Sequence, residues 1–280
     1  LVLGSGGEFP YFTFNERIQI IKSAVKAVRG RIPLLAGVGF HSRIETEAFI
    51  NEAGLLDLDG FLVILPTYFP VEFSDARMFY EAIGTKSKKP VLYYHYPQMT
   101  GLFYPMAETV RLISQDGIAG IKESSLNLGE MRAHLKSRGE GDFTLFSGNS
   151  FTLLKVLEMG GAGTICQVPS FAPKLVVACY KAWTAGNFKE AKSLQRKIVE
   201  LLPFLNTFAM PAPVQKLGFT VISRLPFSTK GRNRSRQAVI KETLRRLGHP
   251  ITATVRSPLP QITAEESEAV AMKLKELELS

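Results

Sequence analysis

Apolar, β-rich runs begin near Leu1, Pro33, Phe61, Pro90, Ile118, Phe143 and Thr164, with helical patterns between them. This alternation predicts βαβ units and a parallel sheet. The helices are well marked. Thr13 and Glu16 have the spacing of a capping box, Ile18, Ile21, Val25 and Val28 then fall on one face, and Gly30 stands where a C′ residue belongs. Ser42 and Glu45 predict a second box, opening a helix that ends at Gly54. Ser74 is expected to open a third, with Ala76, Phe79, Tyr80 and Ile83 as its apolar stripe. Further helices fit Met106–Ile113, Leu128–Lys136, Phe151–Met159 and Pro173–Ala185. From Asn187 the strand signal stops, and helices are expected at Phe188–Leu205, around Ala238–Leu247 and over Thr263–Glu278.

Seven strands with helices between them suit a (β/α)8 TIM barrel whose first unit would precede Leu1. A doubly wound sheet is the competitor. Gly4-Ser5-Gly6-Gly7 lacks the glycine spacing of a dinucleotide turn, which tilts the choice toward the barrel. The expected organisation is a barrel over 1–186 and a C-terminal helical region over 187–280. Within the second region Lys216–Arg236 breaks the rhythm. Joining Gln215 to Ala238 would read as one continuous helix start, so the segment reads either as a solvated basic loop or as a splice or gene-model product.

Composition narrows the class. The chain has 280 residues, 45% hydrophobic and 21% charged, which describes an ordinary globular protein. No apolar run approaches the roughly 18 residues of a membrane helix, so no membrane partner is expected. Cys166 and Cys179 give neither a disulfide framework nor a zinc spacing and fit a reducing compartment. His41, His95, His134 and His249 form no metal-ligand pair at helical spacing, and no metal is expected. The net charge of +9 invites a nucleic-acid reading, but Lys216–Arg236 alone carries six cations and no acid, leaving only +3 elsewhere. The basicity is one local segment with no interleaved aromatic platform, and nucleic-acid binding is not expected.

The chemistry lies at the strand ends, where α/β barrels place their reacting groups. Gly117-Ile118-Ala119-Gly120-Ile121-Lys122 is a buried strand pattern that ends in a cation. An ammonium there is costly unless paired, solvated or stripped of its proton. Stripped, it is an amine nucleophile able to form a Schiff base with a keto acid. Other strand ends carry Gly4-Ser5-Gly6-Gly7-Glu8, whose backbone N–H groups can form a nest for a carboxylate. They also carry Gly37-Val38-Gly39, Pro66-Thr67-Tyr68, Tyr93-Tyr94-His95-Tyr96-Pro97, Ser147-Gly148-Asn149 and Gly163-Thr164-Ile165. A phenol can shuttle a proton to a hydroxyl being made or broken. Each residue alone has a plain structural reading as a turn or a core cap; together they suggest a site.

Gly4–Glu8, Tyr94–Gly101 and Gly120–Ser124 form a set that resembles the dihydrodipicolinate synthase and N-acetylneuraminate lyase family of class I, Schiff-base aldolases, over nearly the whole chain. The resemblance implies that Lys122 forms an imine with a keto carbon, that Tyr94 is the acid/base, and that Ser5 and Tyr68 extend the proton relay. Tyr68 would reach a neighbouring subunit's site in a homo-oligomer, a dimer or tetramer. Ser5 and Gly6 N–H groups would hold the pyruvate carboxylate, and Ile165, Gly148 and Ser124 would line the pocket. No cofactor is implied, and the partners are small keto acids: pyruvate and an aldehyde.

Departures from the family pattern refine the expectation. Gly6 stands where a second hydroxyl residue is common. Met99 replaces the arginine of dihydrodipicolinate synthases, and Ser150-Phe151 replace the acidic pair of sialic acid lyases. Gly4–Pro10 and Arg256–Leu259 look most like the 4-hydroxy-2-oxoglutarate aldolase branch, with aldolases for 2-keto-3-deoxy sugar acids close behind. The expected activity is cleavage or formation of a 4-hydroxy-2-keto acid. The alternatives are a dihydrodipicolinate synthase or dehydratase using the same imine, and a catalytically impaired fragment or pseudoenzyme. A cytoplasmic or mitochondrial location fits equally.

Overall fold

A computed structural model describes residues 1–65, 68–137, 143–201 and 235–277. They divide into two compact units, Leu1–Gly148 with Lys155–Ile165, and Asn149–Leu154 with Cys166–Ser280.

The first unit is a parallel half-barrel with helices. Its strands are β1 Leu35–Val38, β2 Gly60–Val63, β3 Val91–His95, β4 Ile118–Glu123, β5 Thr144–Ser147 and β6 Gly163–Thr164. Each pairs in parallel with its neighbour in sequence, and Val2 adds a bridge to Ala36. The order never reverses. That removes the switch point on which a doubly wound sheet depends and agrees with the barrel reading. Every predicted strand start has a counterpart, the first reduced to the single bridge.

Side chains alternate across the sheet. Ala36, Val38, Phe61, Val63, Val91, Tyr93, Ile121 and Leu145 point outward into one core with the helices. Leu62, Ile64, Leu92 and Tyr94 meet Leu35, Ala119, Phe146 and Ile165 on the other face. Residues of β1 to β5, with Ile165 just after β6, contribute to this second cluster, as the inner face of a curled sheet would. The adjacent tyrosines Tyr93 and Tyr94 therefore serve opposite faces.

Helices α1 Phe14–Val28, α2 Arg43–Ala53, α3 Phe73–Lys86, α4 Pro97–Thr100, α5 Met106–Ile113 and α6 Leu128–Ser137 connect these strands. The Thr13/Glu16 box forms in full, worth about 1 kcal/mol of helix stability. Ser42 caps α2 by accepting from Glu45 N–H. α3 starts one residue earlier than Ser74 suggests, with Glu72 as N-cap and no side-chain cap bond. The one-turn α4 was not expected. Pro97 presets its first turn, and Gly101, at φ 73°, supplies the left-handed residue that ends it.

α7 Leu153–Glu158 is preceded by a 3₁₀ turn at Ser150–Thr152. The second unit carries α8 Pro173–Thr184, α9 Phe188–Glu200, α10 Arg236–Arg246 and α11 Ala264–Glu276. Residue 186, the boundary expected from the sequence, lies between α8 and α9 of this unit. Buried Glu242 in α10 accepts from Arg245, Arg246 and Ser267, joining α10 to α11. The basic segment Lys216–Arg236 lies outside the described residues except for Ser235, which caps α10, and Arg236. No described helix is long and apolar enough to cross a membrane.

Candidate active site

β3 and β4 run side by side with Tyr94 opposite Lys122. Both side chains take the inward parity, because each stands one residue from an outward-facing apolar neighbour, Tyr93 or Ile121. Lys122 is 6% exposed and Tyr94 5%. The ammonium nitrogen of Lys122 sits 3.9 Å from the centroid of the Tyr94 ring. A cation over a phenol face is attracted by the ring quadrupole, which offsets part of the cost of burying it.

The Tyr94 hydroxyl lies 3.2 Å from Ser5 Oγ. Burial pushes the Tyr94 phenol above its ordinary range, and hydrogen bonds with Ser5 and Ser124 work against that rise. The phenol therefore stays protonated near neutrality and has two hydroxyl neighbours with which to exchange a proton. Ser5 belongs to the one-turn 3₁₀ segment Ser5–Gly7, which carries Gly6 and is closed by Gly7 N–H donating to Gly4 O at 2.8 Å.

Ser124 is held by its backbone N–H donating to His95 O at 2.8 Å. Its hydroxyl occupies the space beside Gly148, where a Cβ would stand 1.9 Å from Ser124 Oγ. Glycine is required there by packing. Ile165 joins the inner cluster and donates its N–H to Ser147 O at 2.9 Å. Tyr96 stacks on Tyr94 with centroids 5.7 Å apart and planes 23° apart.

Tyr68 stands apart from this set. It is 78% exposed, and its ring packs edge-on against Phe69, itself 74% exposed. Met99, on α4, is half exposed.

A second polar cluster on the outward face escaped the sequence reading. His95 and Glu123 directly follow Tyr94 and Lys122 and are paired opposite each other. They meet Glu130 and His134 of α6. Burial opposes the charge on both His95 and Glu123. Their mutual attraction outweighs it, raising the imidazole and lowering the carboxyl, and pairing with His95 also lowers Glu130. The available signal was the alternation itself: polar residues one step beyond Tyr94 and Lys122 must face the helices.

A profile of the dihydrodipicolinate synthetase family matches residues 1–230. The chain belongs to that family. Members are carbon–carbon lyases, and the chain is accordingly a lyase of the Schiff-base type. It is 30% identical over 276 residues to a 4-hydroxy-tetrahydrodipicolinate synthase of Moorella thermoacetica, covering 99% of this chain and 85% of the relative. It is 32% identical over 202 residues to a probable 2-dehydro-3-deoxy-D-pentonate aldolase, YjhH, of Escherichia coli, covering 71% and 67%. Among solved structures, the family member YagE of Escherichia coli, crystallised with pyruvate, superposes with a TM-score of 0.85 at 25% identity, covering 100% of this chain and 86% of that one.

Proposed function

We propose that the protein is a pyruvate-dependent class I aldolase acting on a short 4-hydroxy-2-keto acid, with Lys122 as the imine-forming residue. The observation that carries this reading is the buried Lys122 amine 3.9 Å from the ring of Tyr94, whose hydroxyl is bonded to Ser5. In the cleavage direction the neutral amine attacks the keto carbon and water leaves. The protonated imine then draws the electrons of the bond between carbons 3 and 4, leaving an enamine in place of a carbanion. As the aldehyde carbonyl forms, Tyr94 takes up the proton of the carbon-4 hydroxyl, its own proton moves along the hydrogen bond to Ser5, and Ser5 passes its hydroxyl proton to water, from which carbon 3 of the enamine later regains one. Protonation of the enamine and hydrolysis release pyruvate and return the amine.

Support for the substrate class comes from what the site lacks in charge. Uncharged Met99 stands on α4, and Ser150 and Phe151 follow Gly148 in the sequence, which argues against the arginine-bearing synthases and the sialic acid lyases with their acidic pair. The YjhH relative carries a name of this sugar-acid type, and YagE binds pyruvate. Ser5 and Gly6 are assigned to the pyruvate carboxylate, and Ile165, Gly148 and Ser124 to the pocket wall. The exposed Tyr68–Phe69 pair supports a homo-oligomer in which Tyr68 enters a neighbour's relay. A synthase or dehydratase on the same imine is the second reading, favoured by relatives named as synthases.

The test is a panel of 4-hydroxy-2-keto acids assayed for pyruvate release. Release from 4-hydroxy-2-oxoglutarate or a 2-keto-3-deoxy sugar acid supports the aldolase. Dehydration without pyruvate favours the second reading.

A further inference from the structure

On the outward face of β3 and β4, three donor atoms from three elements converge. His95 Nε2 lies 3.9 Å from Glu123 Oε2 and 3.8 Å from Glu130 Oε2. One ligand atom from each of the three residues lies within 4.8 Å of those of the other two. The two His95 separations are too long for direct hydrogen bonds. A point among atoms so placed is no more than about 2.8 Å from each, within a small side-chain adjustment of zinc–nitrogen and zinc–oxygen bonds.

The far side of each ligand is already pinned. His95 Nδ1 lies 3.0 Å from the Tyr93 hydroxyl, and Glu123 Oε1 accepts from Ser125 N–H at 2.7 Å. Glu130 Oε1 accepts from Asn127 Nδ2 at 2.9 Å. In each residue one polar atom is spoken for by an outer partner and the other is aimed at the common point, as in protein metal centres. With the Tyr93 hydroxyl as acceptor of the Nδ1 proton, Nε2 is the nitrogen that gives up its proton to bind a ligand.

A second observation points the same way. Glu123 is fully buried, yet its Oε2 makes no hydrogen bond. His134, also fully buried, lies 3.2 Å from that oxygen but is poorly aligned, and neither of its ring nitrogens makes a hydrogen bond. A buried oxygen without a hydrogen bond costs of order 1–3 kcal/mol, and the fully buried Glu123 carboxylate, beside a Glu130 side chain that is 32% exposed, calls for positive charge. A divalent cation supplies that charge and uses the oxygen.

We propose that His95 Nε2, Glu123 Oε2 and Glu130 Oε2 bind a first-row divalent cation, zinc in the first instance, with His134 beside the site. One imidazole and two carboxylates suit zinc or manganese better than the softer copper ion. On loading, the proton on Nε2 passes to solvent as the nitrogen–metal bond forms. The ion is structural. It ties β3, β4 and α6 together on the face opposite Tyr94 and Lys122. The assignment is independent of the keto-acid reading, because it rests on the protein alone.

The test uses the full chain, stripped with a chelator and then titrated with zinc against a colorimetric competitor. One zinc per chain is expected, with a rise in melting temperature. Glu130→Gln keeps the Asn127 contact and removes one charged ligand, and binding should fall at least 100-fold. Asn127→Ala, which unpins Glu130, should weaken it roughly 10- to 100-fold. No zinc bound by the wild-type chain overturns the proposal, as does equal binding by Glu130→Gln. Should either variant fail to fold, anomalous diffraction at the zinc edge on the wild-type protein decides. A peak between His95, Glu123 and Glu130 supports the site; a peak elsewhere or none overturns it.

Discussion

Gly148→Ala tests whether the wall of the site sets its chemistry. The added methyl would stand 1.9 Å from Ser124 Oγ and 2.9 Å from Ser124 Cβ, with Glu123 O at 3.2 Å. Non-bonded heavy atoms settle near 3.5 Å, so the hydroxyl must retreat by about 1.5 Å. It has little room: Ser124 is 8% exposed, and its N–H is bound to His95 O at 2.8 Å. Overpacking of this kind costs about 1–3 kcal/mol of stability. The retreat also displaces a hydroxyl that offsets the burial-driven rise of the Tyr94 phenol. A misplacement of about 1 Å in a reacting group costs on the order of 100-fold in rate, which is the expected drop in kcat. Pyruvate release, coupled to its reduction by a dehydrogenase and read by absorbance, gives kcat; urea unfolding gives stability. Ser124→Gly combined with Gly148→Ala removes both clashing atoms, so it should regain stability while kcat stays low. A Gly148→Ala enzyme with wild-type stability and kcat would refute the packing reasoning.

Tyr94→Phe removes the hydroxyl bonded to Ser5, so kcat should fall roughly 10²- to 10⁴-fold while imine formation on Lys122 persists; steady-state kinetics within threefold of wild type would exclude Tyr94 as the acid/base. Glu242 gives a pH prediction in the second unit. Arg245 first, then Ser267 and Arg246, hold its carboxyl down from 4.5 to about 2 against its burial. A depressed carboxyl stabilises above its unfolded pKa and loses that contribution as pH falls through the folded value, here between about pH 5 and 2. The loss is about 2–3 kcal/mol, and Glu242→Gln should flatten that part of a urea-unfolding pH series. Parallel curves for the two proteins would contradict it.

The strand–helix rhythm is legible because the strands are short and apolar, and the first two helices carry side-chain caps at Thr13 and Ser42. Thr13 with Glu16 fixed the start of α1, and Met106–Ile113 matched α5 at both ends. Lys122 stood out because a cation closes an otherwise apolar run. α4 was missed because Pro97 after a strand reads as loop, whereas here it begins one helical turn. The relation between Tyr94 and Ser124 depends on the glycine at 148, which only packing reveals. The His95–Glu123–Glu130 cluster was hidden for a different reason. Its members come from β3, β4 and α6, so no spacing along one element announces them. His95 and His134 share no helical spacing; they meet between β3 and α6.

The central claim is that Lys122 is the nucleophile. Incubation with pyruvate and borohydride, followed by peptide mass spectrometry, tests it directly. One reduced pyruvyl adduct is predicted on the peptide carrying Lys122, and none in Lys122→Ala. An adduct that persists in Lys122→Ala, or no adduct on the wild-type chain, would contradict it.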